Sequence, residues 1–270
     1  MIYVDPIQVD MASGSFYDTE GADYYLSPAK LASDYANVRF ERELRLFRKF
    51  CPRGEVLDVG CGSGSFLFQL KKRWPADYRI LGTDVSGGPL DYAESRGVTV
   101  LRENFLEQDF GARKFDAITF WAVIEHLHEP RQFIDKAWGL LNPNGWCFVL
   151  VPNMQSLAVR LLGKNYRYIL PQHVNYFTEA TLKQLVTRRG GFQIIDSGST
   201  HFNPLVIWQD WKSSGKVVSD QERAQLLTQT TRYKQNPALK PIKAVLKGME
   251  TGLCALNLAD NLVMVLQKSA

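Results

Sequence analysis

Cysteine is scarce in this chain and badly placed for pairing. The four thiols, Cys51, Cys61, Cys147 and Cys254, lie far apart with no C-x-x-C pair, which argues against a zinc site or a disulfide framework and for reduced, mostly buried thiols. Long apolar runs are missing too: no stretch approaches the length of a membrane span, and the opening Met-Ile-Tyr-Val-Asp-Pro lacks the basic flank and apolar core of a secretion signal. The expectation is a cytoplasmic protein with no membrane span. Nor does one sign of charge dominate. With 32 basic and 28 acidic residues the net charge is +4, so a nucleic-acid footprint would have to be local rather than global. No internal repeat or low-complexity segment is present, which sets aside repeat architectures.

What is present is enough for one sizeable core: 270 residues, 45% of them hydrophobic. The expected organisation is one domain with additions. Residues 1–50 form an arm (1–20, mobile) and a helical cover, 51–201 the core, 202–257 a helical insertion on the acceptor side or for interaction, and 258–270 a final strand.

The core is organised around residues 55–66, Glu-Val-Leu-Asp-Val-Gly-Cys-Gly-Ser-Gly-Ser-Phe. Val56, Leu57 and Val59 are strand formers, Gly60, Gly62 and Gly64 follow at once, and Phe66, Leu67, Leu70 and Trp74 then recur at helical spacing until Pro75. A strand that feeds a helix through glycines brings bare backbone close to a ligand. The spacing G-x-G-x-G, rather than G-x-G-x-x-G, disfavours a nicotinamide dehydrogenase. A second strand over 79–84 ends in Asp84, about 20 residues past the glycines, where a carboxylate can accept from ribose hydroxyls. Its other reading is a cap on the helix near Ser86, a task open to Ser86 itself.

Further strands are expected over 98–101, 115–120, 146–151, 192–197 and 261–267, and helices over 130–141 and 178–189, each closed by a turn signal. Residues 23–50 are helical in pattern, with a start at Ser27-Pro28; Tyr24, Tyr25 and Tyr35 there either cover a ligand or pack the helix on the domain. The fold is thus α/β: a Rossmann-like, doubly wound, mostly parallel seven-stranded sheet with an N-terminal helical segment and a helical insertion before the last strand. Residues 152–173 interrupt the alternation with Asn153, Arg160, Lys164, Tyr166, Arg167 and Tyr168, at a strand's carboxyl end where such sheets hold ligands.

An acidic residue followed by x-G-x-G-x-G, here Asp58, Gly60, Gly62 and Gly64, resembles the first motif of class I S-adenosylmethionine (SAM)-dependent methyltransferases. Glu125-His126-Leu127 with Pro130, together with residues 172–178 and 260–265, is similar to small-molecule methyltransferases that include the quinone-biosynthesis O-methyltransferases. The resemblance covers most of 50–200 and the end of the chain but not the insertion. It implies SAM as cofactor, S-adenosylhomocysteine as product, and cofactor contacts at Asp58, Gly60, Cys61, Gly62, Gly64, Asp84, Val85, Asn104, Phe105 and Trp121. Within that set Asp84 would take the ribose, Asn104 the adenine amino group, and Phe105 would pack on the adenine ring.

Methyl transfer from a sulfonium is a direct displacement in which alignment of the acceptor lone pair supplies much of the rate. A hydroxyl acceptor must also lose its proton, which suits a histidine; His126 and His173 are the catalytic candidates. Each has a duller role open to it: Glu125-His126 bracing the next helix, and His173 bonding loop backbone. No metal is expected, because Ala122 stands where relatives such as small-RNA 2'-O-methyltransferases carry the first glutamate of Glu-x-x-Glu-His, and Glu125, His126 and His173 are a poor oxygen set for magnesium. Phe120-Trp121-Ala122-Val123 replaces the Asn/Asp-Pro-Pro-aromatic step of enzymes that methylate DNA amines. The expected acceptor is a small-molecule hydroxyl. The alternatives are RNA methylation, suggested by the basic stretch 212–247, and a non-catalytic SAM-binding or interaction module. That stretch reads better as a solvated helix face, so nucleic acid is not the expected partner. The acceptor's identity and the oligomeric state stay open.

Overall fold

The computed structural model describes residues 2–3, 20–170, 172–188, 191–213 and 220–269. Along these, the strands are β1 (Ile2–Tyr3), β2 (Gly54–Val59), β3 (Tyr78–Thr83), β4 (Val100–Leu101), β5 (Phe115–Trp121), β6 (Leu141–Pro152), β7 (Asn175–Tyr176), β8 (Phe192–Thr200) and β9 (Asn261–Lys268). Seven form one sheet in the order β4-β3-β2-β5-β6-β9-β8. Neighbours from β4 through β6 pair in parallel, and β9 runs antiparallel to both β6 and β8. The expected seven-stranded, mostly parallel sheet is what the chain forms. β1 and β7 make a separate antiparallel pair. Apart from β1 and Glu20, the arm expected over 1–20 lies outside the described residues.

Both sheet faces are dry, and alternation along the strands sorts side chains between them. Leu57, Ile118, Phe120, Cys147, Val149, Met264 and Leu266 belong to one core, while Val56, Ala117, Phe148 and Val265, their neighbours along the same strands, belong to the other. The first face is covered by α6 (Pro130–Leu140) and α8 (Glu179–Thr187), through Ile134, Ala137, Leu182 and Val186. The second is covered by α3 (Glu41–Phe50), α4 (Ser65–Arg73) and α5 (Gly87–Ser95), through Leu44, Phe47, Phe66, Leu67, Leu70, Leu90 and Ala93. In α3 the charges follow the helix dipole, with Glu41 and Glu43 in the first turn and Arg48 and Lys49 in the last.

The helical stretch expected over 23–50 is three helices, α1 (Glu20–Tyr25), α2 (Pro28–Asp34) and α3. Pro28 starts α2 after Ser27 as expected, and Phe40 at φ 59° breaks the path before α3, because a left-handed residue cannot continue a right-handed helix. The insert after β6 folds as α7 (Leu157–Leu162), capped by the Ser156 hydroxyl, which accepts from the Val159 N–H. Beyond β8 come α9 (Pro204–Ser213), α10 (Asp220–Gln235) and α11 (Lys240–Ala255). These later helices lie against the N-terminal ones: the Ser33 and Thr231 hydroxyls bond at 2.8 Å, and Arg42 pairs with Glu250.

Candidate active site

The chain leaves β2 for β3 on one side and returns to β5 on the other, so the carboxyl end of β2 is the topological switch point of the sheet, where such folds open a crevice. The glycine loop sits there. Gly60 N–H donates to the Thr83 carbonyl at 2.7 Å, which ties the loop to β3. The three glycines have different reasons to be glycine. A Cβ at Gly60 would meet Val123 at 2.6 Å, and one at Gly64 would meet the Ala93 Cβ at 2.9 Å; both are packing constraints. At Gly62, φ +51°, a Cβ would meet nothing within 4 Å. That is an open cradle with bare backbone at its wall.

Two acids underlie the loop. Asp84 accepts from the Gly62 N–H at 2.8 Å through Oδ2 and from the Ser86 N–H at 3.0 Å through Oδ1. It therefore braces the loop and starts α5, a task Ser86 does not perform, since its side chain makes no capping bond. Asp58 turns the other way, buried under the loop, and accepts from the Thr119 hydroxyl at 2.6 Å. Burial pushes its carboxyl up to about 7, the Thr119 hydroxyl opposes that rise and the Asp84 charge adds to it. Tyr35, from the connection after α2, donates to the Ser63 carbonyl within the loop and packs against Phe68 and Tyr92. Of the three tyrosines singled out in the sequence, this one reaches the loop.

The remaining expected contacts divide. Val85 is 40% exposed beside Asp84, an apolar surface left uncovered. Asn104 is exposed, with its Oδ1 accepting from the Leu106 N–H at 2.9 Å. That turn drives Phe105 inward, which corrects the expectation of a ring platform: Phe105 is 3% exposed, with its ring centroid 5.5 Å from Phe133 and 5.9 Å from Phe110, so no face remains for an adenine. The Cys61 thiol likewise points into the protein, against Gly82, where a Cβ would lie 2.5 Å from its sulfur; only its backbone belongs to the loop surface. Trp121, at the end of β5, packs on Phe66 and Phe148, and its Nε1 is buried without a hydrogen-bond partner.

Next along β5, residues Ile124–His126 form a single 3-10 turn. His126 meets His173, 47 positions further along the chain, at 4.6 Å between ring centroids, edge to face.

 Two bonds stitch the segments together, His126 Nδ1 with the Gln172 carbonyl at 2.9 Å and Asn175 Nδ2 to the Leu127 carbonyl at 2.6 Å. His173 is buried, and its Nδ1 meets the Tyr168 carbonyl at 2.8 Å. A carbonyl only accepts, so both rings carry their proton on Nδ1 and present Nε2 as the lone-pair nitrogen when neutral. The bonding to loop backbone expected as His173's duller role is therefore real, and it sets the tautomer as well.

Glu125 completes the group. It is 1% exposed, its Oε2 has no hydrogen-bond partner, and burial pushes its carboxyl up to about 8. One ligating atom from each of Glu125, His126 and His173 lies within 4.8 Å of the others, and among the described residues this is the set that could hold a metal ion. Two imidazoles and one carboxylate suit zinc or a similar late first-row cation better than magnesium. The expectation of no metal weighed magnesium for this cluster, and zinc only at the cysteines.

Other buried polar pairs were not legible in the sequence. Arg167 Nε donates to Asp210 at 2.9 Å, and Asp210 is 1% exposed. His201 pairs with Glu43 at 2.6 Å. Burial alone would raise the Glu43 carboxyl, but His201 and Arg39 hold it down to about 2. Glu43 and His201 line an open cleft of about 400 Å³ between α3, β8 and β9, which includes no residue of the glycine loop or of the histidine pair. No regular spacing links such partners; long sequence separation hides them.

Residues 32–197 match the family model described as a methyltransferase domain. The chain is 29% identical over 213 residues to a ubiquinone biosynthesis O-methyltransferase of Cereibacter sphaeroides, covering 73% of this chain and 83% of that one. To the protein of the same name from Roseobacter denitrificans it is 27% identical over 241 residues, covering 80% and 93%. Among solved structures, a SAM-dependent methyltransferase of Thermotoga maritima, titled a possible histamine N-methyltransferase, aligns with TM-score 0.56 at 17% identity, covering 94% of this chain and 97% of that one. The cyclase SpnF aligns with TM-score 0.59 at 15% identity over the whole of both chains. At such identities the structural likeness speaks for the fold alone. The family model, spanning well over half of the chain, carries the assignment: this protein belongs to the methyltransferase-domain family, as a class I SAM-dependent methyltransferase.

Proposed function

We propose that the chain methylates a hydroxyl oxygen of a small-molecule acceptor. The observation that carries this reading is that the glycine loop and the His126–His173 pair open from the adjacent strands β2 and β5, with Val123 of the second segment packed against Gly60 of the first. The relatives named O-methyltransferases support oxygen as the atom modified.

The residues present fit SAM. The space beside Gly62 is one a Cβ would fill, and Trp121 Nε1 is a buried donor without a partner. Gly60, Gly62, Asp84 and Val85 would hold the cofactor, with Asp58 beneath them. Bound SAM supplies a sulfonium methyl group open to in-line displacement. Nε2 of His126 or His173 takes the acceptor's proton, because Nδ1 of each is committed to a carbonyl. The Gln172 and Tyr168 carbonyls hold the two rings in place and so limit the motion that misalignment would require.

The unpartnered Glu125 Oε2 favours a second reading of the same cluster, in which Glu125, His126 and His173 would hold a divalent cation that would supply Lewis-acid polarisation of a hydroxyl. Elemental analysis of the purified protein and turnover after chelation separate the two. A panel of hydroxylated acceptors, read by S-adenosylhomocysteine release, tests the main proposal. Turnover of amines or RNA but of no hydroxyl compound would overturn it.

A further inference from the structure

The cleft beside Glu43 and His201 is opened by an irregularity in β8. Phe192 and Ile194, early in that strand, pack into the core that holds Leu182 and Leu266, and strict alternation would send Asp196, Gly198 and Thr200 to the same face. The register against β9 slips between Ile194 and Asp196. A bulge of one residue reverses the alternation beyond it, so Asp196, Gly198 and Thr200, paired with Val265, Val263 and Asn261, turn to the other face and line the cleft under α3.

Two contacts tie α3 to this face of β8. Lys49 reaches Asp196 at 3.6 Å, and Arg42 reaches the Thr200 hydroxyl at 3.4 Å. Arg45 and Leu46 on the helix and Gly198 on the strand come between the two ties in sequence, and there the packing stops: a Cβ at Gly198 would meet nothing within 4 Å among the described residues. Glycine inside a strand weakens it, and it marks a bulge or the close approach of a ligand or of another backbone. The bulge precedes Gly198, and no described backbone approaches it. A ligand is the occupant left. The cleft, at about 400 Å³, falls within the roughly 300–1,000 Å³ of small-molecule sites.

Charge decides the class of that ligand. Of the ionisable groups around the cleft, Arg42 pairs with Glu250, Glu43 with His201 and Asp196 with Lys49. Arg45 has no carboxylate partner among the described residues: its Nε donates to the Glu41 carbonyl at 3.1 Å, and its terminal nitrogens donate to no described group. The apolar wall is Leu46, Leu150, Val263 and Val265. We propose that this cleft is a second ligand site, which takes a small organic monoanion with its apolar body on those four side chains and its anionic group on the Arg45 guanidinium. A polyphosphate would need more cations than the one left unpaired, and a neutral compound would leave that one unused. The site is separate from the glycine loop and the histidine cluster, so its ligand binds beside the cofactor and does not compete with it.

The test is fluorescence titration of the full chain, saturated with S-adenosylhomocysteine, with anilinonaphthalene sulfonate, an apolar monoanion that brightens on leaving water. One saturable site is expected. Its Kd should rise at least about tenfold in Arg45→Glu, where the anion would meet a carboxylate, and in Gly198→Val, whose side chain would fill the middle of the cleft. Valine suits a strand, and Gly198 lies outside the left-handed region, so the second variant keeps the fold. Far-UV circular dichroism and SAM calorimetry check that both variants are folded and bind cofactor as the parent does. Absence of saturable binding would overturn the proposal, as would binding seen only without S-adenosylhomocysteine. So would an unchanged Kd in either variant, or equal affinity for the uncharged phenylnaphthylamine.

Discussion

The glycine loop and the histidine cluster, the proposed donor and acceptor sides, are built differently. The donor side is local: Gly62 and Asp84, whose bond holds the glycine loop, are 22 residues apart and sit at the ends of two adjacent strands. Its ligand surface is largely backbone. The acceptor side is assembled from side chains on segments 46 and 48 residues apart, stitched by the bonds of His126 to Gln172 and Asn175 to Leu127, and it is flanked by an insert pinned through Arg167 and Asp210. A backbone cradle depends on a few conformations, whereas a side-chain cluster depends on distant packing. Damage to the two should therefore look different.

The largest effect is expected from His126→Ala, which should lower kcat by about 10²–10⁴-fold if the imidazole handles the proton or a cation, with SAM affinity little changed. Calorimetry beside single-turnover kinetics checks this; parallel loss of SAM affinity would erase the distinction between the two sides. Asp210→Ala strands the guanidinium of Arg167, whose side chain is 9% exposed, and should cost about 3–5 kcal/mol in urea unfolding. A smaller cost would mean that the insert is held mainly by its apolar contacts. Gly62→Val should weaken SAM binding by about a hundredfold, or about 2.7 kcal/mol, while folding, because its side chain enters open space; φ +51° adds a strain of about 1–2 kcal/mol. Unchanged SAM affinity in the folded variant would place the donor elsewhere.

Two buried acids should respond to pH with opposite signs. Glu43 is held down to about 2, below its unfolded value of about 4.3, so its contribution is present above that value and is lost as pH falls toward 2. Asp58 is pushed up to about 7, above its unfolded value of about 3.9, so its neutral form favours folding at low pH and that advantage is lost as pH rises through 7. Stability profiles of Glu43→Gln and Asp58→Asn against the parent should differ in these two windows. Equal profiles across both would show that neither the His201 and Arg39 charges beside Glu43 nor the burial of Asp58 governs these acids.

Much of the fold was legible because its signals are local. Strand formers running into glycines, Asp84 at the end of the next strand, and the Pro28 helix start depend on neighbours in sequence. Phe105 was misread for an identifiable reason: sequence places a ring next to Asn104 but does not say which way the Asn104 turn aims it. The left-handed Phe40 that divides the N-terminal helices gave no composition signal either.

By itself, the sequence determined the sheet, the glycine loop and the class of cofactor, because alternation, glycine spacing and strand-end acids are encoded by residues close along the chain. Only the tertiary structure decided that His126 and His173 meet at 4.6 Å and that Glu125 joins them. Those outcomes depend on which distant segments pack together, and packing free energy is summed over the whole core rather than written at any one position.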